Sequence, residues 1–184
     1  MKLLKNKQKA ITTGVLLFAF LLLNFALLSC KVSYGFNEKT SSIPDSVKTV
    51  RINLIENRAP YQNPQLSPLL TEQLKRKVTN QTKLTMVNAN NTNPDWEISG
   101  EIRDYSVSTT GVTSTNGQSQ SSINRLTVTV HISINKRSKT DEYDVSRSFD
   151  FSARQSLQQA EASLLDEMVR NLTDEIFNRL FSDW

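Results

Sequence analysis

From Leu126 to Ile134 the chain alternates without a break, with Leu126, Val128, Val130, Ile132 and Ile134 on one side and Arg125, Thr127, Thr129, His131 and Ser133 on the other. Successive side chains of a strand point to opposite faces, so this stretch is a β-strand with one face for a core and one for water. A sheet of such strands must be covered on its apolar side and can stay bare on the other. That requirement narrows the architectures open to the whole chain.

The rest of the chain supplies the partners and the cover. Residues 47–55 place Val50, Ile52 and Leu54 opposite Arg51 and Asn53, a first strand, which Pro60 and Pro64 then end. Leu66, Leu69, Leu70, Leu74 and Val78 recur at helical spacing, with Ser67 placed as an N-cap and Pro68 at the first helical position. Lys75, Arg76 and Lys77 fall toward the end of this helix, where its dipole favours cations. Residues 84–87 form a short strand that a helical crossover makes parallel to the first. Trp96, Ile98, Gly100 and Ile102 alternate with Glu97, Ser99, Glu101 and Arg103 as a third. Residues 106–122 are mostly Ser, Thr, Gly, Gln and Asn, and read as a long loop, either mobile or ordered by a partner.

Beyond the fourth strand, residues 136–142 turn the chain. Tyr143, Val145, Phe149 and Phe151 then oppose Asp144, Ser146, Ser148 and Asp150 as a fifth strand. Ser156 with Gln159 fits a capping box for a long last helix, whose apolar stripe is Leu157, Ala160, Leu164, Met168, Leu172, Ile176 and Leu180. The expected fold is α+β: a two-layer sandwich in the order βαβββα, with a mixed sheet and two helices on one face. The other sheet face is then bare, built from Arg51, Asn53, Glu97, Ser99, Glu101, Arg103, Arg125, Thr127, Thr129, His131 and the polar alternates of the fifth strand. Its plainest reading is an ordinary solvated surface.

Ahead of this domain lies a stretch of a different kind. Lys2, Lys5, Lys7 and Lys9 precede an almost wholly apolar run, residues 11–28, that ends in Leu27-Leu28-Ser29-Cys30. The pattern is a secretory signal with basic, hydrophobic and cleavage regions, and its end looks like a bacterial lipobox. Cleavage between Ser29 and Cys30 would leave Cys30 as the lipidated (palmitate-bearing) N-terminus. Leu28 stands where a smaller residue is usual. An uncleaved membrane anchor is the alternative, but only Lys31 follows where a basic stop-transfer cluster would be expected. The divisions are a signal over 1–29, a lipidated tether over 30–46 and one domain over 47–184. Each buried methylene contributes about 0.8 kcal/mol, so several acyl chains on one residue hold a protein at a membrane.

Charge and cysteine count exclude several classes of function. The chain has 22 basic and 18 acidic residues, and its excess of four lies in the four signal lysines. The mature domain is therefore near neutral, and no basic stripe supports nucleic-acid binding. Cys30 is the one cysteine, so the domain folds without a disulfide. His131 is the one histidine and has no thiol to activate, so it reads as a solvated strand residue. Asp141, Glu142 and Asp144 lie on a turn and read as solvating charges. No metal-ligand spacing and no glycine-rich phosphate loop is present, so no cofactor, metal or catalytic residue is expected.

A set of short matches runs through the chain: Ser33-Tyr34-Gly35-Phe36, Lys48-Thr49-Val50, Asn57-Arg58-Ala59, Asn63-Pro64-Gln65-Leu66-Ser67 and Leu70-Thr71-Glu72-Gln73-Leu74. Farther on stand Gln81-Thr82 with Leu84, Gly100 with Ile102 and Tyr105, residues 124–130, Ile176-Phe177-Asn178 and Trp184. In order and spacing the mature chain resembles the LPS-assembly lipoprotein (LptE) family. The resemblance implies an outer-membrane lipoprotein on the periplasmic side that plugs and helps assemble the β-barrel LptD and binds lipopolysaccharide in transit. It implies basic residues as lipopolysaccharide contacts, for which Arg103 and Arg125 are candidates, with Thr127 and Thr129 beside them facing barrel or lipopolysaccharide. Barrel lumens are polar, so a polar sheet face suits a plug. Two alternatives stay open: an auxiliary lipoprotein of another envelope transporter or secretion channel, and a surface-displayed binding lipoprotein.

Overall fold

A computed structural model describes residues 43–88, 93–115 and 118–181, with side chains from 112 to 122 left undescribed. The expected signal, the expected Ser29–Cys30 cleavage position, the expected tether up to residue 42 and Trp184 lie outside the described residues. No helix among the described residues is long and apolar enough to cross a membrane.

The elements are β1 (Thr49–Asn57), α1 (Leu66–Gln81), β2 (Thr85–Met86), β3 (Trp96–Thr115), β4 (Gln118–Asn135), β5 (Thr140–Ser152) and α2 (Leu157–Phe181). They form one mixed sheet in the order β2-β1-β3-β4-β5. β1 runs parallel to both β2 and β3, while β3–β4 and β4–β5 are antiparallel. This is the α+β class expected from the sequence, but with five strands the order is βαββββα, one strand more than βαβββα allows. The alternation of β4 holds throughout: Leu126, Val128, Val130, Ile132 and Ile134 are all buried. They lie in one core cluster with Leu70, Leu74 and Val78 of α1 and Met168, Leu172 and Ile176 of α2.

Both helices owe their seats to side chains that the apolar pattern alone does not reveal. The register of β1 against β3 shifts between Ile52 and Ile55, the mark of a β-bulge. The shift inverts the expected alternation, leaving Leu54 57% exposed and Ile55 fully buried. Polar atoms of Ile55 then face α1, where the Ile55 N–H donates to Thr71 Oγ1 at 3.0 Å and Ser67 Oγ donates to the Ile55 carbonyl at 2.6 Å. Ser67 is thus a strut to the bulge and does not cap α1, whose N-cap is Gln65 with no side-chain cap bond. Leu69, read as part of the apolar stripe, is 40% exposed, and the buried face instead follows Leu66, Leu70, Leu74 and Val78 with Ser67 and Thr71 beside it.

The basic cluster of α1 also differs from expectation. The helix continues to Gln81, so no basic residue lies in its last turn. Lys75 pairs with Glu72, while Lys77 reaches across to Asp174 of α2 at 2.6 Å and lies over the Phe177 ring. In α2 the capping box is present, with the Ser156 N–H donating to Gln159 Oε1 at 3.0 Å and the Gln159 N–H to Ser156 Oγ at 3.3 Å. Arg147 has the strand parity of the core face, and its guanidinium escapes burial by pairing with Glu175 of α2. Trp96 and Phe181 stack at 6.2 Å where the end of α2 meets the start of β3.

At the opposite end of α2 the core closes on a carboxylate. Glu161 is 8% exposed and accepts from the Tyr105 hydroxyl at 2.7 Å and from the Tyr61 hydroxyl at 3.1 Å. One buried side chain thereby joins β3, the β1–α1 connection and α2. Burial, with the neighbouring Glu161 carboxylate, pushes the Tyr105 hydroxyl well above the ordinary tyrosine range, so it remains a donor. Gly100 is needed for close approach on the core face. A Cβ there would sit 2.6 Å from Ile132 Cδ1 and 3.0 Å from the His131 carbonyl.

The largest departure from the sequence reading is at residues 106–122. In place of a loop, β3 runs through Thr115 and β4 begins at Gln118, paired from Val107↔Leu126 out to Thr115↔Gln118. The hairpin ladder is satisfied by main-chain groups alone, so a polar, β-branched sequence can extend it without an apolar face.

Candidate functional site

The two helices cover the apolar side, and the opposite side of the sheet is a continuous polar surface. Its arrangement follows from register. Once the turn at 136–139 closes, with the Lys136 N–H donating to the Lys139 carbonyl at 2.8 Å, every polar residue of β4 from Arg125 to Asn135 meets a polar residue of β5. Arg125 faces Asp150, Thr127 faces Ser148, Thr129 faces Ser146 and His131 faces Asp144. Directly opposed side chains of complementary chemistry are what stabilise such a face.

The contacts are close. Arg125 holds Asp150 with two parallel bonds, Nε to Oδ1 at 2.7 Å and Nη2 to Oδ2 at 2.8 Å. This hydrogen bonding keeps the Asp150 carboxyl below the usual aspartate range and raises the Arg125 guanidinium. Thr127 and Ser148 hydroxyls lie 2.9 Å apart, and Thr129 donates to Ser146 at 3.1 Å. On β3 and β1, Arg103 pairs with Glu101 at 2.6 Å, and Arg51 pairs with Glu97 at 2.8 Å. Asn53 also donates to Glu97, and to Ser99 at 2.9 Å. The bond from Arg51 does most to hold Glu97 below the ordinary glutamate range, and the bond from Arg103 does the same for Glu101.

All four residues singled out from the sequence lie on this open face, yet none offers a bare functional group. Arg103 and Arg125 are each neutralised by a carboxylate, and Arg103 also approaches Asp144 at 3.8 Å. His131 is a departure from the solvated residue expected: its side chain is only 15% exposed, with Nδ1 at 2.7 Å from Asp144 Oδ1. Nε2 faces Glu142 Oε2 at 3.8 Å, so both ring nitrogens look at carboxylates instead of at a hydroxyl. Asp141 is held by Lys136 and Lys139, and their hydrogen bonds lower its pKa. Among the described residues no cluster of three or more His, Cys, Asp or Glu could hold a metal ion.

Sequence reasoning missed a hollow in the face. Beside the β1 bulge an open cavity of about 420 Å³ is lined by Asn53, Leu54, Glu56, Arg58, Glu101 and His131, among others. Arg58 spans its rim, donating to Glu56 at 2.8 Å and approaching Glu101 at 3.5 Å. The exposed Leu54 is an apolar residue among these polar neighbours, and the bulge puts it there. No periodicity predicts it, because the shifted register breaks the period at that point.

Chemically the face is a set of donors and acceptors in which Arg51, Arg103 and Arg125 are each paired with a carboxylate. It suits recognition through hydrogen bonds and shape. Three solved structures of similar fold can be set beside it. A minor lipoprotein from Acinetobacter baumannii is 15% identical, covering 74% of this chain and 98% of its own, with a TM-score of 0.42. Rare lipoprotein B from Shewanella oneidensis is 15% identical over 72% and 93%, with a TM-score of 0.44. PelC from Paraburkholderia phytofirmans, a dodecamer, is 12% identical over 75% and 92%, with a TM-score of 0.45. No curated protein matches the sequence. A family profile described as LptE, lipopolysaccharide-assembly, matches residues 47–180, from just before β1 almost to the end of α2. The chain belongs to this lipopolysaccharide-assembly family.

Proposed function

We propose that the protein is an outer-membrane lipoprotein, anchored on the periplasmic side through lipid on Cys30. In this reading its domain plugs an LptD-type β-barrel, helps that barrel assemble and takes part in lipopolysaccharide delivery, without catalysis of its own. Family membership supports the assembly role, and the open sheet face supports the plug. A lumen is lined by polar side chains, and a plug that meets it with a greasy surface would leave them unpaired. The observation that carries the reading is that, among the described residues, helices cover one side of the sheet only. The other presents Thr127, Thr129, Ser146 and Ser148 as a central row of hydroxyls flanked by paired charges.

The test uses that row. Thr127→Glu with Thr129→Glu should change the stability of the purified protein by no more than about 0.5 kcal/mol per site, as expected for exposed positions. In the cell the same change would press two carboxylates against a lumen with no prepared partners, where desolvation is costly. Recovery of the barrel with the tagged variant should fall, and sensitivity to large hydrophobic antibiotics should rise. Wild-type recovery together with wild-type permeability would remove this face from the docking surface. The anchor is tested separately by Cys30→Ala, which should abolish metabolic labelling with a fatty-acid analogue. Labelling of the variant at the wild-type level would remove the lipoprotein assignment.

A further inference from the structure

Beyond the open face, the sheet has a second unpartnered feature, the outer edge of β3. β1 pairs with β3 only as far as Asn57↔Ile102, and the Arg58 N–H closes that ladder on the Ile102 carbonyl at 3.0 Å. Among the described residues no strand pairs with β3 beyond Ile102 on this side. The register against β4 shifts between Ile102 and Asp104 and again between Thr109 and Gly111, so Asp104 to Thr109 is a regular stretch of free edge. An unpaired edge is a template for another strand, and folded proteins ordinarily blunt it with charges or proline.

The sheet's other long edge is blunted in this way along its length, whereas this stretch of β3 carries a charge only at its start, Asp104. β5 carries Asp141, Glu142, Asp144, Arg147 and Asp150 along its length. On β3, no charged residue and no proline occurs from Tyr105 through the hairpin to Asn124. Flanking this edge on the helix side is a small apolar strip. Val107 is 42% exposed, and Tyr61 is 38% exposed with its ring 5.4 Å from that of Tyr105.

We propose that the edge from Asp104 to Thr109 takes a short extended segment of a partner protein by strand addition. The segment is uncharged, about six residues long, and places one aliphatic side chain against Val107 and Tyr61. Main-chain bonds supply the affinity, and the Val107 strip sets which residue faces inward. A second copy of this chain is a poor occupant. Two β3 edges paired antiparallel with Asp104 to Thr109 against the same stretch would drive each hairpin past Asp104 into the space that β1 and Arg58 fill beside Ile102. A segment that ends or turns before Ile102 meets no such obstacle. This surface is separate from the hydroxyl row of the open face, and either can fail without the other.

The test uses the full-length protein in mild detergent and a fluorescent, end-capped heptapeptide of alternating threonine and valine. Hydrogen exchange should slow at least tenfold within Asp104 to Thr109 when the peptide is present, with the β5 edge unaffected. Val107→Lys should weaken binding at least tenfold, and so should Ser108→Lys, which acts from the opposite face of the same strand. Ser146→Lys on β5 should change binding less than twofold. Melting temperatures close to wild type would show that each variant remains folded. Unchanged exchange at Asp104 to Thr109, protection on β5 instead, or wild-type binding by both β3 variants would overturn the proposal. A peptide-free dimer that Val107→Lys dissociates would overturn it too, by making a second copy the occupant.

Discussion

The two ends of the sheet are stabilised by different means. Between Trp96 and Ile102 the sheet is covered by both helices on one face and laced on the other by Arg51–Glu97 and Arg103–Glu101, with Arg125–Asp150 continuing the lacing on β4 and β5. Past the Thr109–Asn124 pair the β3–β4 hairpin runs on without a charged residue, and it is defined by its main-chain pairing. The contrast separates two tasks. Burial sets the fold's stability, whereas the bare end is free to change partners because little of the core depends on it.

The largest effect that would test this contrast is at the centre of the covered end. Val130→Asp puts an unpaired carboxylate where Val130 is fully buried and should cost several kcal/mol, while Thr129→Asp on the open face should cost a fraction of that. Similar melting losses for the two would mean that both faces are covered. Next comes the boundary itself. Tyr105→Phe removes the 2.7 Å bond to buried Glu161 and should destabilise by about 1–3 kcal/mol in denaturant titration. Gly100→Ala should fall in a similar range, because its Cβ would be forced against the His131 carbonyl as well as the movable Ile132 tip.

A smaller effect is expected from acid. Asp150, Glu97, Glu101 and Asp95 are all held below their usual range, Asp95 chiefly by the backbone N–H groups of Lys48 and Thr49. A carboxylate whose folded pKa is depressed contributes stability that is present above its unfolded pKa and is lost as pH falls through the folded one. The lacing should therefore weaken below about pH 4, and the Asp150→Asn variant should show a shallower loss there than wild type. A variant curve parallel to the wild-type curve would remove Asp150 from the acid response. The smallest effect belongs to the bare end: Val107→Ala should shift stability by less than about 0.5 kcal/mol, against roughly 2 kcal/mol for Val128→Ala two residues away across the hairpin. Equal losses would erase the distinction between the ends.

Much of this was legible in the residues. The succession of five strands and two helices, the two faces of β4 and the placement of Arg103, Arg125, Thr127 and Thr129 on one surface follow from periodicity, and the capping box of α2 follows from the spacing of Ser156 and Gln159. The pairing of Arg125 with Asp150 was not legible, since it depends on how many residues the turn at 136–139 consumes. The strand character of residues 106–122 was hidden for a related reason. Hydrophobic alternation reports burial, and this hairpin is ordered by main-chain bonds that leave no mark in side-chain polarity.

By itself the sequence determined which residues could be buried, through the apolar periods of β4, α1 and α2, and it carried the likeness to the lipopolysaccharide-assembly family. Only the tertiary structure decided where those periods break. The bulge that turns Leu54 outward and Ile55 inward exists because Ser67 and Thr71 of α1 stand ready to take up the main-chain groups it leaves free. Glu161 can be buried because two tyrosines distant in sequence deliver their hydroxyls to it. Local patterns fix what a residue prefers, and a buried polar atom is settled only by the partner that reaches it from elsewhere in the chain.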